Sequence, residues 1–326
     1  MTVRARVQRQ APWVRSFGRA TKHGDRPFNL VVTAAVLSVL ALVAAIGVEL
    51  WQNSALSRQA FGLQFLWTTT WDPVFRDFGA LPFILGTLET SVLALILALP
   101  LSLGIAIFLA ELSPEWLRMP LGFLVELLAA VPSVIYGLWG LYVFVPTVVR
   151  PLGGVFSDSL GFLPLFQGPV FGPSRLAASL ILTIMITPTI SAVSRDVFLA
   201  IPRSQREASL ALGATRWETI WRVLVPYGLS GILGAVILGM GRALGETMAV
   251  TMVIGNNLDL TSSLLHPGYT MASIIVNEFT EATYDLYLQA LVEIGLVLFV
   301  LTLVLNLFAR FLVWNVSRRI PQEVRA

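Results

Sequence analysis

Six stretches of this chain are too long and too apolar to end inside an ordinary globular core. They run over Phe28–Leu50, Pro82–Leu109, Leu121–Val149, Leu176–Leu199, Leu229–Ile254 and Leu288–Val313. Each exceeds the ~20 residues that a helix needs to cross a ~30 Å hydrocarbon layer. Their apolarity is continuous rather than alternating, which argues for helices and against a β-barrel. The expected fold is all-α, a polytopic membrane protein with six transmembrane helices. Charged residues make up only 13% of the chain, about half the share in soluble domains. The first run is longer than the ~7–15 residues of a signal-peptide core, and no small-residue cleavage site follows it, so it reads as a retained helix.

Basic residues set the expected orientation. Seventeen of the 22 lysines and arginines fall in the N-terminal arm, the turn between helices two and three, the segment between helices four and five, and the C-terminal tail. Four (Arg58, Arg76, Arg150, Arg175) fall on the other side, and Arg242 remains inside a span. The positive-inside rule then puts both termini in the cytoplasm. The same bias accounts for the net charge of +3 without any nucleic-acid partner. There is no cysteine, which excludes disulfides and thiolate chemistry. His23 and His266 lie in different polar segments, so no histidine metal site is expected.

The organisation follows from these spans. Residues 1–27 are a basic cytoplasmic arm, read as disordered, with arginines suited to anionic lipid heads. Residues 28–50 are the first transmembrane helix and 51–81 an external segment. The aromatics of that segment (Trp51, Phe61, Phe65, Trp67, Trp71, Phe75) form an interfacial belt or a short helix lying on the membrane. Residues 82–315 form the main membrane domain and 316–326 a cytoplasmic tail. Glycine and proline are expected to break any helix over 150–175. That leaves either a plain connector or a contact surface for an external protein.

One cytoplasmic segment has no lipid-facing purpose. Residues 201–226, IPRSQREASLALGATRWETIWRVLVP, predict two short helices meeting at Gly213. Pro202 opens the first. The second carries Trp217, Ile220, Trp221 and Leu224 on one stripe, and Pro226 is expected to end it before the fifth span. The pattern Glu207-Ala208-Ser209, Gly213, Ile220 and Val225-Pro226 resembles the "EAA loop" of binding-protein-dependent ABC importer permeases, with Ser209 in place of the usual third alanine. In that family the helix before the glycine docks into a groove on the ATPase. The resemblance therefore implies that Glu207, Ala208, Ser209, Gly213 and Trp217 contact an ATPase. Residues Ala211–Asn256 and Ile186–Pro202 further resemble the phosphate-specific permeases of the PstC type. That resemblance spans roughly residues 80–315. It implies a five-helix core plus one N-terminal helix, a PstA-type permease partner, a PstB-type ATPase dimer and an extracytoplasmic phosphate-binding protein. No cofactor is expected, since the partner uses the ATP. The chain is then not an enzyme, and it has no G-x-x-x-x-G-K-[ST] phosphate loop.

The fifth run holds two charges, Arg242 and Glu246, each costing about 2.5–3.5 kcal/mol at a membrane centre. Four residues apart on one helix, they would share a face. Gly241 and Gly245 beside them would let another helix approach. One reading makes them part of an anion path, with the planar guanidinium meeting phosphate and Glu246 tempering it. The other makes them a structural ion pair. Alternatives to phosphate are another oxyanion (sulfate, molybdate) or a self-sufficient transporter. The latter is disfavoured by the absence of paired broken helices.

Overall fold

Hydroxyl groups decide which helix can sit in the middle. The helix over Arg175–Ala200, called α7 below, carries Ser179, Thr183 and Thr187 at four-residue spacing. Each gives its hydrogen to the carbonyl one turn back: Ser179 to Arg175 at 2.8 Å, Thr183 to Ser179 at 2.7 Å and Thr187 to Thr183 at 2.7 Å. Satisfied in this way, they are buried without penalty. With alanines beside them, they leave a thin helix that neighbours approach closely.

The computed structural model describes the backbone of residues 12–318 and the side chains of residues 28–315. The expected arm lies outside the described residues as far as residue 11, and the expected tail from residue 319. From Pro12 the arm is helical rather than disordered and continues into the first span as α1 (Pro12–Asn53). That helix belongs to a separate compact unit, ending at Gln52.

The second unit begins with α2 (Ala55–Phe61) and a two-stranded hairpin, β1 (Trp71–Asp72) with β2 (Asp77–Phe78). It continues through α3 (Leu81–Ile107), α4 (Glu115–Ala130), α5 (Ser133–Trp139), α6 (Arg150–Leu160) and α7. Next come α8 (Arg203–Ala211), α9 (Arg216–Thr219), α10 (Val225–Leu244), α11 (Met248–Val253), α12 (Met271–Glu278) and α13 (Asp285–Arg318). Six helical stretches among the described residues are long and apolar enough to cross a membrane, as expected. α3 and α10 flank α7, α4 touches it near its C-terminal end, α11 lies on α5, and α13 packs on α10 and α2.

Four expectations are corrected. The third span starts at Ser133, not Leu121; Val131 and Pro132 turn extended and make α4 a separate helix. It then runs on through a wide turn at Gly140–Val149 into α6, to Leu160. Pro151 follows directly on that wide turn, and the helix runs on past it. Pro226 does not stop its helix either, because the wide turn Ile220–Leu224 carries α9 into α10. Residues 51–81 are neither belt nor surface helix throughout. Phe65, Trp71 and Phe78 are buried with Phe83 and Tyr287 in an aromatic core, while Trp51, Trp67 and Phe75 are exposed. Glu278 Oε2 accepts from Trp71 Nε1 and Tyr287 Oη, each at 2.6 Å, which closes that lobe. Burial pushes the Tyr269 phenol up within it, although Asn277 Nδ2 donates to its oxygen at 2.8 Å.

The lobe meets α3 at Gly86. A methyl group there would collide with the Tyr269 carbonyl, and the next residue, Thr87, accepts the Met271 N–H at 2.9 Å. Gly86→Ala is expected to destabilise the protein by about 1–3 kcal/mol through overpacking. Thermal unfolding in detergent measures this. Gly104→Ala is the control, since nothing lies within 4 Å of its added methyl. Equal midpoints for the two variants would refute the close approach.

Candidate functional site

The segment singled out by sequence folds as two short helices set at an angle by one residue. Gly213 has φ +87°, a left-handed conformation that a side chain resists, although nothing within 4 Å would obstruct a methyl. Around it Leu212, Gly213 and Ala214 donate back to Ala208, Leu210 and Ser209, closing the end of α8. Thr215 then opens α9. Its hydroxyl accepts the Glu218 N–H at 3.2 Å, and Glu218 Oε2 accepts the Thr215 N–H at 3.0 Å. Ser209 adds a link: its hydroxyl lies 2.9 Å from that of Thr219, which joins α8 to α9. The sequence offers no signal for that contact beyond the hydroxyl itself.

Arg206 fastens α8 to the bundle. Its guanidinium meets both oxygens of Glu111 at 2.6–3.1 Å, and also the Phe198 and Ile201 carbonyls at 2.6 Å. Glu111 lies in the wide turn Phe108–Leu112 that ends α3. One side chain therefore ties α8 to the ends of both α3 and α7. Beside the pair is a cleft of about 210 Å³ bordered by Leu112, Leu210, Arg216 and Thr219. The outer face is open. Glu207 and Ala208 are exposed. Leu212 is 89% and Trp217 62% exposed, and Trp217 meets Trp221 edge-on at 5.5 Å.

Arg242 and Glu246 are not brought together as a pair. α10 ends at Leu244 and Gly245 turns the chain, so a spacing of four no longer stacks one residue above the other. Glu246 instead accepts the Ala249 N–H at 3.3 Å, near the start of α11. Arg242 Nη1 donates to Thr189 Oγ1 on α7 at 3.1 Å. Among the described residues no carboxylate lies within 4.0 Å of it. Tyr136 is within its electrostatic reach and gives its hydroxyl hydrogen to the Leu128 carbonyl at 2.8 Å. Gly241 and Gly234 have open space where a side chain would be, whereas Gly231 and Gly239 are pressed against Val197 and Ile190 of α7. The small-residue surface of α10 is thus half used within the chain.

Arg242 is only half-buried, and a different arginine is taken out of water. Arg175, read as a loop residue, is 5% exposed; it binds Glu89 of α3 at 2.8 Å and Thr261 at 2.6 Å. The sequence signal was Glu89, a carboxylate within an apolar run, and its partner lies 86 residues away. The N–H groups of Ser174, Arg175 and Leu176 are taken by the Val253, His266 and Leu264 carbonyls, so the segment after α11 is folded onto the start of α7.

Residues 102–321 match the family described as the binding-protein-dependent transport system inner membrane component. The chain belongs to that family. The match to this inner membrane component takes in α8, Arg206 and Arg242, while Glu89 and the Phe65, Trp71, Phe78 and Phe83 side of the aromatic lobe precede it. The chain is similar to the phosphate transport system permease protein PstC of Xylella fastidiosa, 46% identical over 90% of this chain and 92% of that one. It is 44% identical to the PstC protein of Mesorhizobium japonicum over 96% and 98% of the two chains. It is 36% identical to the probable PstC protein of Methanocaldococcus jannaschii over 86% and 90%. Among solved structures, a chain of the MetNI methionine ABC transporter in an inward-facing form superposes with a TM-score of 0.53. That match covers 72% of this chain and 94% of the other at 17% identity, which bears on the fold alone.

Proposed function

We propose that this chain is the permease subunit of an ABC importer for inorganic phosphate. It forms half of the translocation path, beside a PstA-type permease. An extracytoplasmic phosphate-binding protein delivers the ion, and a PstB-type ATPase dimer grips α8 and the exposed Trp217 from the cytoplasm. Both termini lie on that cytoplasmic side. The chain hydrolyses nothing itself and binds no cofactor.

Arg242 carries this reading. A guanidinium held by Thr189 and, among the described residues, left without a carboxylate offers an uncompensated planar fork, which suits a passing oxyanion. Its one neutral partner positions it without trapping the ion. The similarity to PstC proteins narrows the oxyanion to phosphate.

The test is uptake of radiolabelled phosphate by cells that lack their own phosphate permeases and carry this chain with its partner subunits. Expected is ATP-dependent uptake that a tenfold excess of sulfate or molybdate leaves unchanged. Competition by sulfate or molybdate would reassign the substrate. Uptake by this chain without the ATPase would end the ABC assignment.

A further inference from the structure

α4 leaves a cleft between itself and α3. It is attached to α7 by one face: Arg195 of α7 lies over Gly122, so close that a methyl there would be 2.8 Å from Nη1, and it binds Glu126 at 3.1 Å. Its other face stands off from α3 across a cleft of about 460 Å³. Leu101, Gly104 and Phe108 form one wall, and Leu121, Leu124 and Leu128 the other. Every residue around it is apolar or glycine. The α3 wall belongs to a membrane-spanning stretch, Leu81–Leu112.

Arg118 lies at one end, one turn before Leu121 on α4. Its Nη2 donates to the Ala110 carbonyl at 3.2 Å and reaches that of Ser113 at 3.5 Å. Its Nε is buried with no partner, and among the described residues no carboxylate lies within 4.0 Å. Neutral carbonyls hold the guanidinium in place and leave its charge uncompensated. The neighbouring Glu111 is already taken by Arg206, so this is the α8 end of the bundle. Trp116 and Met119 are exposed beside it at 76% and 81%, as befits a polar–apolar boundary.

We propose that this cleft binds an anionic phospholipid, one acyl chain between α3 and α4 and the headgroup phosphate at Arg118. An acyl chain matches walls that offer no hydrogen bond. A partner helix would need small residues on both walls to approach closely, and the α4 wall is leucine. The arginine at the mouth supplies the charge complementarity, as basic groups at helix ends do for anionic headgroups.

The assembled transporter, reconstituted in mixed phosphatidylglycerol and phosphatidylethanolamine and then re-extracted, tests this through the lipid retained per complex. Wild type is expected to retain phosphatidylglycerol. Arg118→Gln is expected to lower that retention about fivefold, leaving phosphatidylethanolamine unchanged. Gly104→Leu places a branched side chain in the cleft from a position where an added Cβ meets nothing within 4 Å. It is expected to abolish retention of both lipids while thermal stability holds. Three results would overturn the proposal: no phosphatidylglycerol on the wild type, equal phosphatidylglycerol on Arg118→Gln, or Gly104→Leu releasing a partner subunit instead of lipid. Should Gly104→Leu fail to assemble, the Arg118→Gln comparison still decides.

Discussion

Arg242→Gln is expected to lower phosphate uptake about 10- to 100-fold while the transporter still assembles. The substitution keeps a neutral donor, but one that ends two bonds short of Nη1, so the direct contact with Thr189 Oγ1 is lost. It also removes the charge and the fork. Hydrogen bonds to charged groups contribute about 1.5–3 kcal/mol, and each ~1.4 kcal/mol is a factor of ten in rate. Arg242→Lys keeps the charge as a compact point without the planar geometry, and an intermediate loss is expected. Co-purification of the ATPase with both variants separates transport from assembly. Wild-type uptake by Arg242→Gln would remove Arg242 from the path.

The other large effect belongs to Arg206. Arg206→Ala leaves Glu111, whose side chain is only 14% exposed, with no counter-charge. It also strips a donor from the Phe198 and Ile201 carbonyls. Removing one partner of such a pair costs about 3–5 kcal/mol. The cost falls where α8 joins the bundle, so the expected result is protease cleavage between α7 and α9 together with loss of the bound ATPase. The double variant Arg206→Met with Glu111→Leu removes both charges and is expected to recover most of the lost stability. Arg203→Ala, an exposed neighbour on α8, should change stability by no more than about 0.5 kcal/mol. If Arg206→Ala resists protease as well as Arg203→Ala does, the anchoring role is wrong.

The features legible in the sequence were those that depend on neighbours along the chain. Apolar run length gave the six spans, because the bilayer demands length and nothing else. Glu207, Gly213 and Trp217 marked the two short helices, because a turn glycine and a helical stripe are local patterns. Where the structure departs from expectation one cause recurs: an apolar run is not always a single straight helix. Val131-Pro132 and Gly245 each interrupt apolar sequence without interrupting apolarity, so α4 and α11 were hidden inside spans. The same holds for Arg242 and Glu246, whose four-residue spacing brings side chains together only while the helix lasts. Pro151 and Pro226 mislead in the opposite direction, since the wide turn just before each lets the helix run on past the proline. Contacts such as Arg175 with Glu89, or Arg206 with Glu111, join residues 86 and 95 positions apart. Composition signals that such charges need partners but not which ones.

The hydroxyl ladder of α7 bears on how the bundle can change shape. Ser179, Thr183 and Thr187 each direct their short bond along their own helix. Across to α3, Thr183 reaches the Ala94 carbonyl only at 3.4 Å, and Ser102 gives one bond, to the Thr187 carbonyl at 3.2 Å. A few degrees of roll between the two helices therefore leaves the three strong bonds intact. Along its middle, between the Arg175–Glu89 pair at one end and the Arg206–Glu111 pair at the other, the α3–α7 contact is a bearing rather than a clamp, greased by side chains whose polarity is spent internally.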